Sequence, residues 1–231
     1  MKLLAIETST EACSVAVYVD GEVRERHELA PRRHTQLVLP WADELLAEAG
    51  LRKSQLDAIA VGRGPGAFTG VRLAIAIVQG LALALDRPVL PVSTLAVLTM
   101  QGQGDDILAA IDARMGEVYL GQFRRTPDGR VQAVSPEVIV PPAQAARPAT
   151  PVYGVGTGFG AESAALVARL GASLTGFDAS ALPHAADLAR LAAAAYERGE
   201  AIAPDALEPA YLRDKVALTL EEQGKSLPQG R

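Results

Sequence analysis

Twice along this chain, three strand-like runs are followed by alternating strand and helix patterns, and few architectures accept that order even once. Lys2–Glu7 is a short apolar strand, and Cys13–Val19 is a second, valine-rich one. Asp20-Gly21 is a two-residue hairpin signal, and Glu22–Leu29 returns as the third strand of a meander. From Thr35 to Ala49 the apolar positions Leu37, Val38, Trp41, Ala42, Leu45, Leu46 and Ala49 recur at threes and fours, and Gly50 closes the helix. Pro40 sits in its first turns or kinks it. Asp57–Val61 predicts a strand, Thr69–Leu85 a helix, Pro88–Val92 a strand, and Ser93 caps a third helix through about Met100.

Gln101-Gly102-Gln103-Gly104 marks a boundary, dividing the chain into residues 1–103 and 104–231. Beyond it the order starts again. Strands are expected at Ile107–Ile111 and Glu117–Arg124, with a turn at Thr126-Pro127-Asp128-Gly129 and a return over Arg130–Val140. The proline-rich Pro141–Pro151 allows a short helix. Val152–Val155 and Ser173–Phe177 then read as strands, Phe159–Leu170 and Pro183–Arg198 as helices. Both halves follow a βββαβαβα order without a residue-level repeat. The fold class this implies is α/β: two ribonuclease H-like units side by side, the plan of the actin, Hsp70 and sugar-kinase (ASKHA) superfamily. The last segment is expected to return to the first unit.

Of the 231 residues, 49% are hydrophobic and 21% charged, which excludes a disordered chain. A net charge of −5 repels polyanions, so nucleic acid would need a local basic patch. Arg32-Arg33-His34 and the group Arg124, Arg125, Arg130 are such patches or else solvated surface charge. The single cysteine, Cys13, lies in an apolar run and behaves as a small buried hydrophobe. The apolar run before Glu7 is too short for a signal peptide, and Val71–Leu85 is interrupted by Arg72 and Gln79, short of a membrane span. A cytoplasmic protein is expected.

Gly62-Arg63-Gly64-Pro65-Gly66-Ala67-Phe68-Thr69-Gly70 lacks the Gly-Lys-Ser/Thr close of a P-loop. It is either a tight strand-to-helix turn or a loop whose N–H groups face an anion or a partner. Gly156, Gly158 and Ala161, with Asp178 downstream, fit a relaxed dinucleotide fingerprint, but their strand follows a meander rather than opening a parallel unit. Glu7-Thr8-Ser9-Thr10 is a phosphate-holding turn or a plain polar one. His27, His34 and His184 are scattered, without metal-ligand spacing, and no nucleophile elbow occurs. A kinase would need carboxylates for Mg²⁺, and a nuclease clustered ones; Glu7, Asp57 and Asp112 at strand ends do not make a persuasive set. The Thr69–Leu85 helix is apolar on most sides and flattened at Gly70, Ala74 and Gly80, so it belongs in a core or at an interface. On the interface reading it joins the Trp41 helix, with Trp41 and Phe68 as aromatic anchors.

Residues 3–16 (LLAIETSTEACSVA), His34-Thr35 with Leu39-Pro40, Gly62–Arg72 (GRGPGAFTGVR) and Pro209-Ala210-Tyr211-Leu212-Arg213 resemble the bacterial TsaB (YeaZ) family. The resemblance implies a role in forming N6-threonylcarbamoyladenosine (t6A) at position 37 of tRNAs that read ANN codons. It further implies a fold like that of the partner transferase TsaD, which carries a metal-binding His-x₃-His in the helix after the strand ending here at Val92. Thr94 and Leu98 stand at those positions, so the resemblance implies a non-catalytic paralogue without metal or other cofactor, and not the peptidase that some relatives were once labelled. Its implied work is to bind and activate TsaD, with the ATPase TsaE joining, and to form a competing homodimer through the same surface. Leu37, Trp41, Leu45, Phe68, Arg72, Leu73 and Ile77 are expected to line that surface. Glu7, Thr8, Ser9 and Thr10, with Gly154, Gly156 and Gly158, are expected as vestigial phosphate loops. The tRNA is expected to be held mainly by other subunits.

Overall fold

The computed structural model describes residues 1–127 and 130–213. Asp128 and Gly129 of the expected turn, and the chain after Arg213, lie outside the described residues. Strands β1 (Lys2–Glu7), β2 (Ala12–Val19) and β3 (Glu22–Leu29) form the meander, and the Asp20-Gly21 turn has φ of 49° and 104°, as a type I′ hairpin requires. α1 (His34–Glu48), β4 (Ala58–Gly62), α2 (Phe68–Leu85), β5 (Val89–Val92) and α3 (Thr94–Thr99) complete the first run. Ser93 Oγ accepts from the N–H groups of Leu95 and Ala96, capping α3. The second run contains β6 (Asp106–Arg114), β7 (Glu117–Arg125), β8 (Val131–Ala133), β9 (Val138–Val140), β10 (Val152–Val155), α4 (Ala165–Leu170), β11 (Leu174–Asp178) and α5 (Ala185–Glu197).

The sheet orders are β3-β2-β1-β4-β5 and β11-β10-β6-β7-β8, with β9 also on β7. In each, the first two strands are antiparallel and the later ones add in parallel on the other side. β6 thus occupies the place of β1, and β10 that of β4. This is the doubled ribonuclease H-like plan of the ASKHA superfamily.

Three expected elements differ. The strand over Arg130–Val140 splits into β8 and β9, because Pro136 cannot donate to a ladder. The short helix of the proline-rich segment is a single 3-10 turn, Pro142–Gln144. The helix from Phe159 breaks: Phe159 is held under Gly154 and stacks on Phe177 at 5.9 Å, Glu162, Ser163 and Ala164 all take positive φ, and α4 begins only at Ala165.

Both faces of β1 are buried, which explains its unbroken apolar run. Leu4 and Ile6 face α1 and α2, while Leu3 and Ala5 face α5. α5 therefore packs not on its own sheet but on the first one, where Ala185, Ala189 and Ala192 meet Ala5, Ala16, Ala58 and Ala60. Small residues on both sides allow a close approach. α3 crosses in the opposite sense: Leu95 and Leu98 pack on the second sheet, and Val97 stays with the first. The result is five layers, with α1 and α2 outermost on one side and α4 on the other. By length and composition α2, with mean hydropathy 1.8, could cross a bilayer; here Val71, Ala74, Ile75, Val78 and Ala82 lie against the sheet.

After α5 the chain returns as a strap. Ile202 bridges Val89, Gln79 Nε2 donates to the carbonyls of Pro204 and Leu207, and Leu207 enters the first core. Arg213 then reaches the second unit, donating to the Ala113 carbonyl and to Glu117 at 2.7 Å. A cut at 103/104 separates the sheets in chain order, whereas α3, α5 and the strap all pack across it.

The start of α5 is fastened by a polar cluster. Glu25 accepts from Ser14 Oγ, the Ala186 N–H and His184 Nδ1, and the His184 ring stacks on His27 at 3.9 Å. Burial pushes the Glu25 pKa up, but the three hydrogen bonds together hold it below the usual value. The bond to Glu25 outweighs burial at His184 and raises its pKa; burial, then the His184 charge, lowers that of His27. The Glu25 contribution is present above its unfolded value near 4.5, and that of His184 below its unfolded value near 6.5. As pH rises through the folded pKa of His184, that contribution is lost. Thermal melts of His184→Gln are expected to show a larger deficit against the parent at about pH 6 than at about pH 9. Equal deficits at the two pH values would overturn this account.

Candidate functional site

Two features stand out on the surface: the outer face of α1 and α2, and a cleft between the two units. α2 turns Thr69, Ala76, Gly80, Leu83 and Ala84 fully outward, with Leu73 and Ile77 half-buried beside them. Thr69, Leu73, Ala76, Gly80 and Leu83 recur at four and three, a straight apolar stripe along one side of the helix. A Cβ at Gly80 would meet nothing within 4 Å, so no internal contact requires a glycine there. On α1, Leu37 and Trp41 are half-buried at the edge of the first core, and Leu39 is exposed.

Leu45 is a correction to the expected surface. It is 0% exposed, in line with Val38 and Ala42 on the side of α1 that faces the sheet. The helical period that selected it cannot tell inner from outer positions on a helix apolar over much of its girth. Phe68, by contrast, is 60% exposed at the first turn of α2, and the Arg72 guanidinium lies 3.4 Å from its ring centroid.

The loops expected as vestigial phosphate loops are packed with protein atoms. Glu7 is 1% exposed, and Thr8, Ser9 and Thr10 are buried with it. Glu7 Oε1 accepts the Ser9 N–H at 2.7 Å, and Thr94 Oγ1 lies 3.0 Å from both Glu7 Oε2 and Ser9 Oγ. Burial raises the Glu7 pKa against the lowering effect of these bonds. Thr8 Oγ1 donates to the Gly70 carbonyl at 2.7 Å. The glycines of the GRGPGAFTG loop serve this closure, since a Cβ on Gly66 would sit 2.2 Å from the Ser9 carbonyl and one on Gly70 2.0 Å from that of Thr8. Gly154, Gly156 and Gly158 are likewise pressed against the Phe159 ring, the Ala110 carbonyl and the Ala110 side chain. In both loops the space beside these glycines is taken by protein atoms.

Other candidates are used structurally. Thr94 belongs to the Glu7 network and Leu98 to the second core. Burial pushes the Cys13 thiol up to about 12. Among the described residues, no three His, Cys, Asp or Glu side chains converge as a metal site would need. Arg124 pairs with Asp106, and Arg125 donates to the carbonyls of Thr99, Gly102 and Gly104. His34 Nε2 lies 3.1 and 3.2 Å from the carbonyls of Thr10 and Ala12; both only accept, so this nitrogen carries the hydrogen.

The cleft was not visible in the sequence. It has a volume of about 540 Å³ and brings Arg32, Phe68 and Arg72 together with Asp112, Arg114 and Tyr211. These residues come from four separate segments, and only the strap motif at Pro209–Arg213 hinted that the chain end mattered.

Gly70→Ala forces a backbone shift at Thr8 and is expected to cost about 2–3 kcal/mol in urea unfolding. A loss below about 0.5 kcal/mol would mean the close approach is not required.

With the geometry in hand, comparison with known proteins is direct. The family model of TsaD, tRNA N6-adenosine threonylcarbamoyltransferase, matches residues 26–220. The "tRNA threonylcarbamoyladenosine biosynthesis protein TsaB" of Escherichia coli K12 is 40% identical over 230 residues, covering 94% of this chain and 96% of that one. Its Haemophilus influenzae counterpart is 42% identical over 229 residues, covering 94% and 95%. A solved structure, YeaZ from Pseudomonas aeruginosa, superposes with a TM-score of 0.83 at 46% identity, covering 91% of this chain and 99% of that one. Similarity that spans nearly every element of the doubled fold, at this level of identity, places the chain in the TsaB (YeaZ) family.

Proposed function

We propose that this chain is a non-catalytic activating subunit in tRNA t6A formation, docking on the transferase TsaD through the outer faces of α1 and α2. The observation that carries this reading is the exposed apolar stripe on α2, in a chain whose relatives are named for t6A biosynthesis. An apolar stripe of this length has little reason to face water unless a partner covers it. Gly80 provides a flat place where a partner backbone can approach closely. Leu73 belongs to the stripe, and Leu37, Trp41, Arg72 and Ile77, all half-buried, with the exposed Phe68, complete the docking face.

The same surface serves a homodimer when the chain is alone, so self-association and TsaD binding compete. TsaE joins the assembled pair, and the work is done in the cytoplasm. The non-catalytic part of the reading is supported by what Thr94 and Leu98 do here: one is tied to a buried carboxylate and the other fills a core. Both are committed to the fold.

The direct test is tRNA threonylcarbamoylation reconstituted with TsaD, TsaE and the threonylcarbamoyl-adenylate synthase, with and without this chain. Activity that depends on the chain, with no turnover by the chain alone, is the expected result. Unchanged activity on its omission would sink the reading. For the surface, Leu83→Asp is the cleaner probe than Trp41→Asp, because Leu83 is 66% exposed whereas Trp41 also packs on the core. Leu83→Asp is expected to abolish TsaD capture in a pull-down while leaving the thermal midpoint within a few degrees. Gly80→Ala is expected to raise stability by about 1 kcal/mol and to weaken capture; capture unaffected by both changes would rule this face out.

A further inference from the structure

The cleft between the units shares Phe68 and Arg72 with the rim of the proposed docking face, but its composition is not explained by docking through α1 and α2. Its lining contains four arginines, Arg32, Arg72, Arg114 and Arg213, against the carboxylates of Glu11 and Asp112, on a chain whose net charge is −5. Two of the arginines are spent within the fold. Arg114 pairs with Asp112 at 2.8 Å, and Arg213 with Glu117 at 2.7 Å. Arg32 has no hydrogen-bond or ion-pair partner among the described residues. Arg72 has no carboxylate partner among them either; it donates to the Phe68 carbonyl and the Tyr211 hydroxyl, and lies over both rings at 3.4 and 5.3 Å. Those rings are themselves exposed, Phe68 by 60% and Tyr211 by 63%.

We propose that this cleft holds a short single-stranded RNA segment, with bases stacked on Phe68 and Tyr211 and phosphates held by Arg32 and Arg72. Each part of the pattern has a separate reason. A lone inorganic anion would use the guanidinium groups and leave two large rings in water. An acidic peptide would pair with the arginines but has no flat group for the ring faces. A single strand uses both, since every base offers a π-face and every link a charge. The cleft volume of about 540 Å³ suits one or two nucleotides and is far too small for a duplex. The chain's net charge of −5 opposes extended contact with a polyanion, so binding is local and weak. Choosing RNA over another polyanion rests on the t6A reading; the cleft chemistry does not depend on the α2 stripe.

The test is fluorescence anisotropy of a labelled single-stranded RNA heptamer with the full chain, titrated over a range of salt. Two neutralised phosphates give a slope of about −1.4 in log K against log salt, at about 0.7 per contact for single strands. Arg32→Gln and Arg72→Gln are each expected to halve that slope. Tyr211→Ala is expected to weaken binding about tenfold, the loss of one stacked base. Tyr211→Phe keeps the ring and is expected to bind nearly as the parent does. Thermal midpoints within a few degrees of the parent verify that each variant is folded.

Absence of binding, or a salt slope unmoved by both glutamine variants, overturns the proposal. So does equal affinity for free AMP, which would make this a nucleotide pocket, or equally effective competition by an oligoglutamate peptide. TsaD capture by Tyr211→Ala separates the two readings. Lost RNA binding with capture intact confirms that cleft and stripe act independently, whereas RNA binding by a parent chain that fails to capture TsaD overturns only the docking reading.

Discussion

A buried carboxylate sets how the first half of this molecule closes. Glu7 ends β1 with almost no contact with water, and its oxygens are satisfied by the Ser9 N–H and the Thr94 hydroxyl. An unpartnered charge at that depth would cost several kcal/mol, so the groups around it have little freedom to move. Thr94 opens α3, and the loop that covers Glu7–Thr10 opens α2. One polar knot therefore fixes where both helices start. The direction of α2 then decides which of its residues face water, and the direction of α3 decides that Leu95 and Leu98 reach the second sheet.

The same knot gives the glycines of these loops a use within the fold itself. Glycine is needed at Gly66 and Gly70 because backbone carbonyls lie about where a Cβ would be. Gly156 meets the Ala110 carbonyl in the same way on the second sheet. Glycine-rich turns of this kind admit a backbone as readily as an anion, and here a backbone carbonyl approaches Gly66, Gly70 and Gly156. Motif reading alone cannot separate the two cases, because the residue type is identical.

Legibility in the sequence followed the range of the interactions involved. The meander, the Asp20-Gly21 turn, the Ser93 cap and the ends of α1 and α2 all depend on neighbours within a few residues, and all were readable. The doubled order of strands gave the superfamily plan because each sheet is built by local hairpins and crossovers. Phe159 did not obey its helical pattern, since its ring is fixed by Gly154 and Phe177 rather than by its own turn. Leu45 and Leu73 have the same apolar character and the same spacing, yet one faces the sheet and the other the rim of the surface stripe; only the packing of each helix distinguishes them. The cleft depends on Arg72 meeting Tyr211 across 139 positions of chain, and no local pattern encodes that meeting.

The exchange of helices has a consequence for the order of synthesis. During translation the first sheet and its outer helices are made before the whole of the second sheet, whereas the helix that covers the inner face of the first sheet is made after it. Until α5 has emerged, Ala5, Ala16, Ala58 and Ala60 lack their main cover, and Leu207 arrives later still to fill the opposite core. The amino-terminal half thus lacks, within its own residues, the helix that covers the inner face of its sheet. A product interrupted before α5 would expose that alanine face and be open to aggregation and to degradation.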